Sequence, residues 1–258
     1  MRLPRVSVIV PVYNRAGLFK RSLVKYGQQT YPNWELVVVD DGSQEDIQGV
    51  LSQYASLDIR YIRLNKSGLR SPNIALLTGM EQCDGEYIIL TCGPEVMVPR
   101  DAVRGIMVAH RMRMTGGLEE RRLGISCFCM GDVMQTQIDS VNWEESVDNL
   151  QGLKDFWIAP TSWGGTNKQY QANGGMLLAF SGGTKSYWDW IGGIRRTEKI
   201  GMNDRDLLAR ERFLSRGPTT VPYIHVYHQH HARAGKEWSE LSTPAIVYTS
   251  EEQARLKC

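Results

Sequence analysis

The chain has no apolar run long enough to span a bilayer; even Met176 to Phe180 is short and flanked by glycine and serine. Met1-Arg2-Leu3-Pro4-Arg5 leads directly into apolar residues, without the charged region and long apolar stretch of a signal peptide. Basic excess is lacking as well. Thirty Lys and Arg stand against 28 Asp and Glu, a net charge of +2, and no long basic run appears, which argues against nucleic acid as the partner. The five cysteines, Cys83, Cys92, Cys127, Cys129 and Cys258, include no zinc-ribbon or C-x-x-C spacing. Reduced thiols and a cytoplasmic location are therefore the expectation. Cys127 and Cys129 read as alternating positions of a strand, and no internal repeat is visible.

What is present is an alternation of strand and helix patterns. Val6 to Val10 is an uninterrupted run of β-formers that breaks into Pro11-Val12-Tyr13-Asn14-Arg15, and Leu36 to Val39 breaks into Asp40-Asp41-Gly42-Ser43. Such runs fit strands buried on both faces of a parallel sheet, ending in turn chemistry. Between and after them, helical stripes are expected at Leu18, Phe19, Leu23 and Tyr26, at Ile47, Val50, Leu51 and Tyr54, and at Ile74, Leu77 and Met80. Further strands are expected at Ile59 to Leu64 and Glu86 to Leu90. This pace implies βαβ units and a mostly parallel sheet, whose ligands bind beyond the carboxyl ends of the strands.

Past Pro99 the pattern changes: a helix over Asp101 to Arg113, a strand over Leu123 to Phe128, and then a stretch from 151 to 175 rich in tryptophan, glycine and amides without periodicity. Loops of that kind in compact domains serve as functional lids. A strand over Met176 to Phe180, a helix over Asp204 to Ser215 and a strand over Val221 to Tyr227 follow. The segment from 232 to 258 reads as a tail.

Four segments taken together carry a resemblance: Val6 to Arg15, Gln29-Thr30-Tyr31-Pro32 with Trp34-Glu35-Leu36, Val39 to Ser43, and Gly85-Glu86-Tyr87-Ile88. In this order and spacing the chain resembles family 2 glycosyltransferases of the GT-A fold, strongly over residues 1–99 and more weakly to 231. The resemblance implies a single GT-A-like α/β domain, a mostly parallel sheet flanked by helices. Residues 1–99 would form its nucleotide-sugar-binding half and 100–231 its acceptor-side half. It further implies that Pro11, Tyr13 and Asn14 wall a nucleotide base and that Asp41 accepts a hydrogen bond from the imide of uracil. Asp40 stands behind it or caps the turn. Arg70 falls near the family's Ala-Arg-Asn element and is a candidate phosphate contact, or an ordinary surface arginine.

The chain departs from the family where Asp-x-Asp would hold a divalent metal. Thr91-Cys92-Gly93-Pro94-Glu95-Val96 has neither aspartate, and Glu95 is the carboxylate that remains. Glu95 is the candidate ligand for Mn²⁺ or Mg²⁺, a hard oxygen donor suited to either. Cys92 reads first as a strand-end thiol and second as a soft ligand. Four of the five histidines lie within His225-Val226-Tyr227-His228-Gln229-His230-His231. On a strand 228 and 230 share a face, making His228, then His230, the candidate partners of Glu95.

Trp190-Ile191-Gly192-Gly193 followed by Gly201-Met202-Asn203-Asp204 resembles the family's acceptor-side motif. Asp204 at a helix start is the candidate general base for the acceptor hydroxyl, or an N-cap, and Asp206 pairs with Arg210 at i, i+4. The expected activity is inverting, metal-assisted sugar transfer from a nucleotide-sugar donor, UDP-linked, to an acceptor hydroxyl on a glycan, protein or small molecule. The rival reading is a nucleotide- or glycan-binding protein of the same fold without catalysis.

Overall fold

A computed structural model describes residues 2–66, 71–129, 179–195 and 202–229. Among the described residues, eight strands form one sheet in the order β3-β2-β1-β4-β7-β6-β8-β5. The first half supplies β1 (Val6–Val12), β2 (Trp34–Asp40), β3 (Ile59–Arg63) and β4 (Tyr87–Thr91), with β2 and β4 flanking β1 in parallel. The second half adds β5 (Val96–Met97), β6 (Leu123–Cys129), β7 (Phe180–Thr184) and β8 (Thr219–His228). β7 runs antiparallel to β4 and β6, β5 runs antiparallel to β8, and β6 and β8 are parallel. The mostly parallel α/β sheet expected from the alternation is what forms.

Every residue of β1 is buried, and successive residues serve different layers as strand pleating requires. Val8 and Val10 face α1 (Ala16–Gly27) and α4 (Ala102–Thr115), whose Phe19, Leu23, Val103 and Ile106 complete that core. Ile9 faces the opposite layer, with α3 (Asn73–Gln82), α5 (Lys185–Ile191) and Leu207 of α6 (Met202–Phe213). Burying each such aliphatic side chain contributes about 1.5–3 kcal/mol. Proline inside a central strand is tolerated here for a geometric reason. Val12 faces β2, where its carbonyl accepts from Asp41 N–H at 2.8 Å. Pro11 therefore faces the β4 side, two residues beyond the last β1–β4 pair, Ile9–Leu90, where its missing N–H costs no ladder bond.

The face of one helix and the bounds of several elements differ from expectation. In α3 the residues that reach the sheet are Asn73, Ala75, Leu76 and Gly79 rather than the Ile74, Leu77 and Met80 stripe. Small side chains let this helix approach Ile9 and Val39 closely, and Leu77 and Met80 pack only at its margin. The strand expected at Met176 to Phe180 is described only from Phe180 onward, where β7 begins. β5 and α5 have no counterpart in the sequence reading, the first because it is two residues long. The helix expected over Asp204 to Ser215 begins at Met202, and the strand expected over Val221 to Tyr227 extends from Thr219 to His228. Cys127 and Cys129 do occupy alternate positions of β6. The stretch from 151 to 175 and the tail from 232 to 258 lie outside the described residues.

At the amino end of the sheet, a buried polar knot joins three of the quoted segments. Ser7 donates to Glu35 at 2.5 Å and accepts from Gly85 N–H at 2.8 Å, while Glu35 also accepts from Asp84 N–H at 2.8 Å. Those residues hold the sheet together, and the candidate chemistry lies at the other end.

Candidate functional site

β1 is followed in the chain by β2 and β3 on one side and is joined by β4 on the other, so the strand order reverses between β1 and β4. Beyond the carboxyl ends of such a pair a crevice opens. The loops after β1, β2, β3 and β4 converge there.

Arg15, the N-cap of α1, has left-handed backbone geometry, as does Asn14 before it. The two positions turn the chain sharply out of β1 and present their N–H groups to the neighbouring loop. Asn14 N–H donates to Ser43 Oγ at 2.8 Å, and the N–H groups of Arg15 and Ala16 donate to the Glu45 carboxylate at 3.0 and 2.6 Å. Asn14 Oδ1 accepts from Gln44 N–H at 2.8 Å. The Asn14 carboxamide thus stitches two loops together.

In the β2 turn, the fully buried Asp40 takes the capping role. Its Oδ1 accepts from Ser43 N–H at 2.7 Å, and its Oδ2 accepts from Tyr61 at 2.8 Å and Arg63 at 2.9 Å. Asp41, also buried, points the other way, and its Oδ2 meets Lys66 Nζ at 2.6 Å. Lys66 in turn lies 4.1 Å from the ring centre of the exposed Tyr13. The tight turn requires glycine at 42: its φ is +76°, and a Cβ there would sit 2.7 Å from the backbone nitrogen of Lys66. Tyr13 and Asp41 thus come together through Lys66, which the sequence did not single out, while Pro11 stays within β1 opposite Val39 of β2. The signal for Lys66 was its place directly after β3.

The second cluster follows β4. Glu95 is buried, yet two groups reach it from separate parts of the chain and a third from its own loop. His228 Nε2 stands 3.1 Å from Oε1, and Arg15 Nη1 stands 3.1 Å from Oε2. Cys92 completes the group: its Sγ, a Glu95 oxygen and a His228 ring nitrogen all lie within 4.8 Å of one another. Gly93 makes the room, since a Cβ on it would lie 2.7 Å from Glu95 Oε1. The first of the two expected histidines is therefore brought to Glu95; His230 lies outside the described residues.

The means is β5. Val96 pairs with His228 in antiparallel register, and Gln229 N–H donates to the Glu95 carbonyl at 3.1 Å. The fully buried Gln229 locks this arrangement to α1, its amide donating to Leu18 O at 3.0 Å and Ser22 Oγ at 3.2 Å. His228 Nδ1 lies 3.0 Å from the Gln229 carbonyl. Donation to that carbonyl leaves Nε2 for the cluster. Burial pulls the His228 pKa down, but hydrogen bonds and charge from Cys92 and Glu95 outweigh it and hold the imidazole well above its ordinary value.

One carboxylate, one imidazole and one thiol converging from a half-open wall form a donor set that a divalent metal accepts. Arg15, on the remaining carboxylate oxygen, fixes the orientation of Glu95. Neither Arg15 nor Gln229 was expected from the sequence, because neither residue type signals a metal site by itself.

On the acceptor side, Asp206 and Arg210 form the expected i, i+4 pair, with bonds of 3.0 and 2.7 Å, both side chains buried. Arg210 also donates to the carbonyls of Ile191 and Gly193, the latter at 2.8 Å. The Gly192-Gly193 turn is thereby tied to α6, of which Asp204 is the third residue. The Asp204 side chain and Arg70 lie outside the described residues.

Residues 7–91 match the family described as Glycosyl transferase family 2. A glycosyltransferase of Haemophilus influenzae, itself uncharacterized, is 30% identical over 157 residues, covering 60% of this chain and 59% of that protein. The GalNAc(5)-diNAcBac-PP-undecaprenol beta-1,3-glucosyltransferase of Campylobacter jejuni is 32% identical over 88 residues, 33% of this chain and 28% of that one. The chain thus spans less than two thirds of the curated relatives it matches. Among solved structures, S. aureus TarS 1-349 in complex with UDP-GlcNAc aligns with a TM-score of 0.61 at 15% identity, over 93% of this chain and 62% of that one. The mannosyltransferase PcManGT from Pyrobaculum calidifontis, in complex with GDP-Man and Mn2+, aligns with a TM-score of 0.58 at 19% identity, over 90% and 59%. These likenesses establish the GT-A-like fold.

Proposed function

From the match of residues 7–91 to glycosyl transferase family 2, we propose that this chain transfers a sugar from a UDP-linked donor to an acceptor hydroxyl, with inversion at the anomeric carbon. The observation that carries the reading is the Glu95–His228 pair, seated across the β1/β4 crevice from the Asp41 turn. It supplies a carboxylate and an imidazole where the Asp-x-Asp pattern is missing.

In this reading Tyr13 and Pro11 wall the base, and Asp41 accepts from the uracil imide once Lys66 swings toward the phosphates. Asp204 takes the proton of the acceptor hydroxyl as that oxygen attacks. Asp206 and Arg210 position it by holding the start of α6 against the Gly192-Gly193 turn. Glu95 and His228 would hold a divalent metal, and such a metal, when bound, neutralises the charge of the leaving diphosphate. The mannosyltransferase with GDP-Man and Mn2+ and the TarS complex with UDP-GlcNAc support a nucleotide-sugar donor. No described helix is long and apolar enough to cross a membrane.

Two measurements test this. Asp204→Asn should abolish turnover of a UDP-sugar while leaving UDP affinity near the wild-type value; unchanged turnover removes Asp204 as the base. Calorimetry with UDP should show tighter binding in the presence of a divalent metal. The missing Asp-x-Asp pattern favours one rival, a binder of nucleotide or glycan without catalysis, and metal-independent UDP affinity together with no turnover would establish it.

A further inference from the structure

Beside the oxygen of Glu95 and the ring nitrogen of His228, the cluster presents one soft donor, the sulfur of Cys92. We propose that Cys92 is the third protein ligand of the metal, as thiolate, so that the site selects a thiophilic divalent cation of the zinc and cobalt class over Mg²⁺. This deepens the metal reading above and rests on it.

Three observations carry the inference. First, the donors meet at one point: Cys92 Sγ, a Glu95 oxygen and a His228 nitrogen lie within 4.8 Å of one another. A nucleophilic Cys-His-carboxylate relay would instead place thiol and carboxylate on opposite ring nitrogens. Here Nδ1 stands 3.0 Å from the Gln229 carbonyl, and Nε2 faces Glu95 at 3.1 Å. Second, the partners around the ligands are those that orient a metal set. The Gln229 carbonyl fixes the imidazole, and Arg15 holds Glu95 Oε2 at 3.1 Å, keeping Oε1 toward the histidine. Third, the set is incomplete in the way a working site is. Glu95 is buried, while Cys92 and His228 are half-buried. Three protein ligands leave a position for water or a diphosphate oxygen, the pattern of catalytic rather than structural zinc.

Ligand softness then decides between metals. Thiolate and imidazole favour zinc and cobalt, whereas Mg²⁺ binds oxygen in near-octahedral geometry and gains little from sulfur. On binding, the metal–sulfur bond replaces the S–H bond of Cys92 and the proton leaves to solvent.

The test is a Co²⁺ titration of the chelator-treated full chain, followed by near-ultraviolet absorption, with total binding measured in parallel by competition against a fluorescent chelator. The expected result is a thiolate-to-cobalt charge-transfer band that Zn²⁺ abolishes and excess Mg²⁺ does not, and that is lost in Cys92→Ser while that variant still binds Co²⁺. Should Cys92→Ser fold poorly, alkylation of the wild-type chain with iodoacetamide and peptide mapping gives the same answer. Zn²⁺ should lower the labelling of Cys92 and leave that of the other cysteines unchanged. Co²⁺ bound without the band, a band that survives Cys92→Ser, or no protection of Cys92 would overturn thiolate ligation and leave the Glu95–His228 metal reading intact. No Co²⁺ binding by the wild type, together with metal-independent UDP affinity, would overturn both.

Discussion

Arg15 and His228 grip opposite oxygens of the Glu95 carboxylate, each at 3.1 Å. The first follows β1, the second ends β8, and Glu95 lies between β4 and β5, so one buried carboxylate ties the two halves of the sheet. Glu95→Ala leaves two cationic groups facing each other without compensation. Removing a fully buried pair's partner costs about 3–5 kcal/mol. Arg15 is 36% exposed, so water screens its share and about 1–3 kcal/mol is expected here. Urea unfolding should show that loss together with loss of turnover; an unchanged midpoint would mean the carboxylate holds nothing.

The same pair sets a pH dependence. The folded His228 pKa is raised above its unfolded value through Cys92 and Glu95, against the pull of burial. Its stabilising contribution is therefore complete below about 6.5, the unfolded value, and is lost as pH rises through the higher folded value. The difference in unfolding midpoint between the wild type and His228→Gln should shrink as pH rises over that window. Metal affinity should move oppositely, increasing with pH, because ligands must shed protons to bind. A midpoint difference constant from pH 6 upward contradicts a charged His228–Glu95 pair.

Asp41→Ala removes the proposed acceptor for the uracil imide. UDP affinity should fall about tenfold, the worth of one buried hydrogen bond of roughly 1–1.5 kcal/mol. Discrimination of UDP over CDP should collapse with it, because cytosine has no imide proton to donate. Isothermal titration with both nucleotides reads the ratio, and a preserved preference for UDP would exclude Asp41 from base recognition.

Gly42→Ala tests the turn that aims Asp41. The left-handed backbone costs an alanine about 1 kcal/mol, and the contact with the Lys66 backbone adds to it. A total of roughly 1–3 kcal/mol should appear as a lowered thermal midpoint. UDP affinity should fall as well.

Behind the acceptor side, Arg122 is fully buried, paired at 2.8 and 2.9 Å with the equally buried Glu211, which also accepts from Tyr187 at 2.9 Å. Arg122→Ala leaves Glu211 a buried charge without its counterion and should cost about 3–5 kcal/mol. Tyr187→Phe removes one hydrogen bond to that carboxylate and should cost about 1.5–3 kcal/mol. Chemical denaturation of both variants checks the order, and a reversed order would show that Tyr187, not Arg122, supports the carboxylate.

Much of the first half was legible because its signals are local. Uninterrupted β-formers at Val6 to Val10 and Leu36 to Val39 leave the chain no way to satisfy both faces except burial in a sheet. Asp40-Asp41-Gly42 marks a turn by residue type alone, though which aspartate caps it and which faces the crevice depended on Tyr61 and Arg63 of β3. The α3 stripe misled because close helix-to-sheet packing favours Ala75 and Gly79, which hydrophobic periodicity undervalues. β5 was invisible because two residues carry no period.

The sequence by itself determined the strand-helix alternation, the carboxyl-end turns with Pro11, Tyr13 and Asp41, and the departure at Cys92-Gly93-Pro94-Glu95. Only the tertiary structure decided what that departure means. Glu95, Arg15 and His228 are far apart in the chain, and their meeting depends on the reversal of strand order beside β1 and on the β5–β8 register that sets Val96 against His228. A ligand set built from distant strand ends has no local signature, because chain order does not specify which ends will be neighbours.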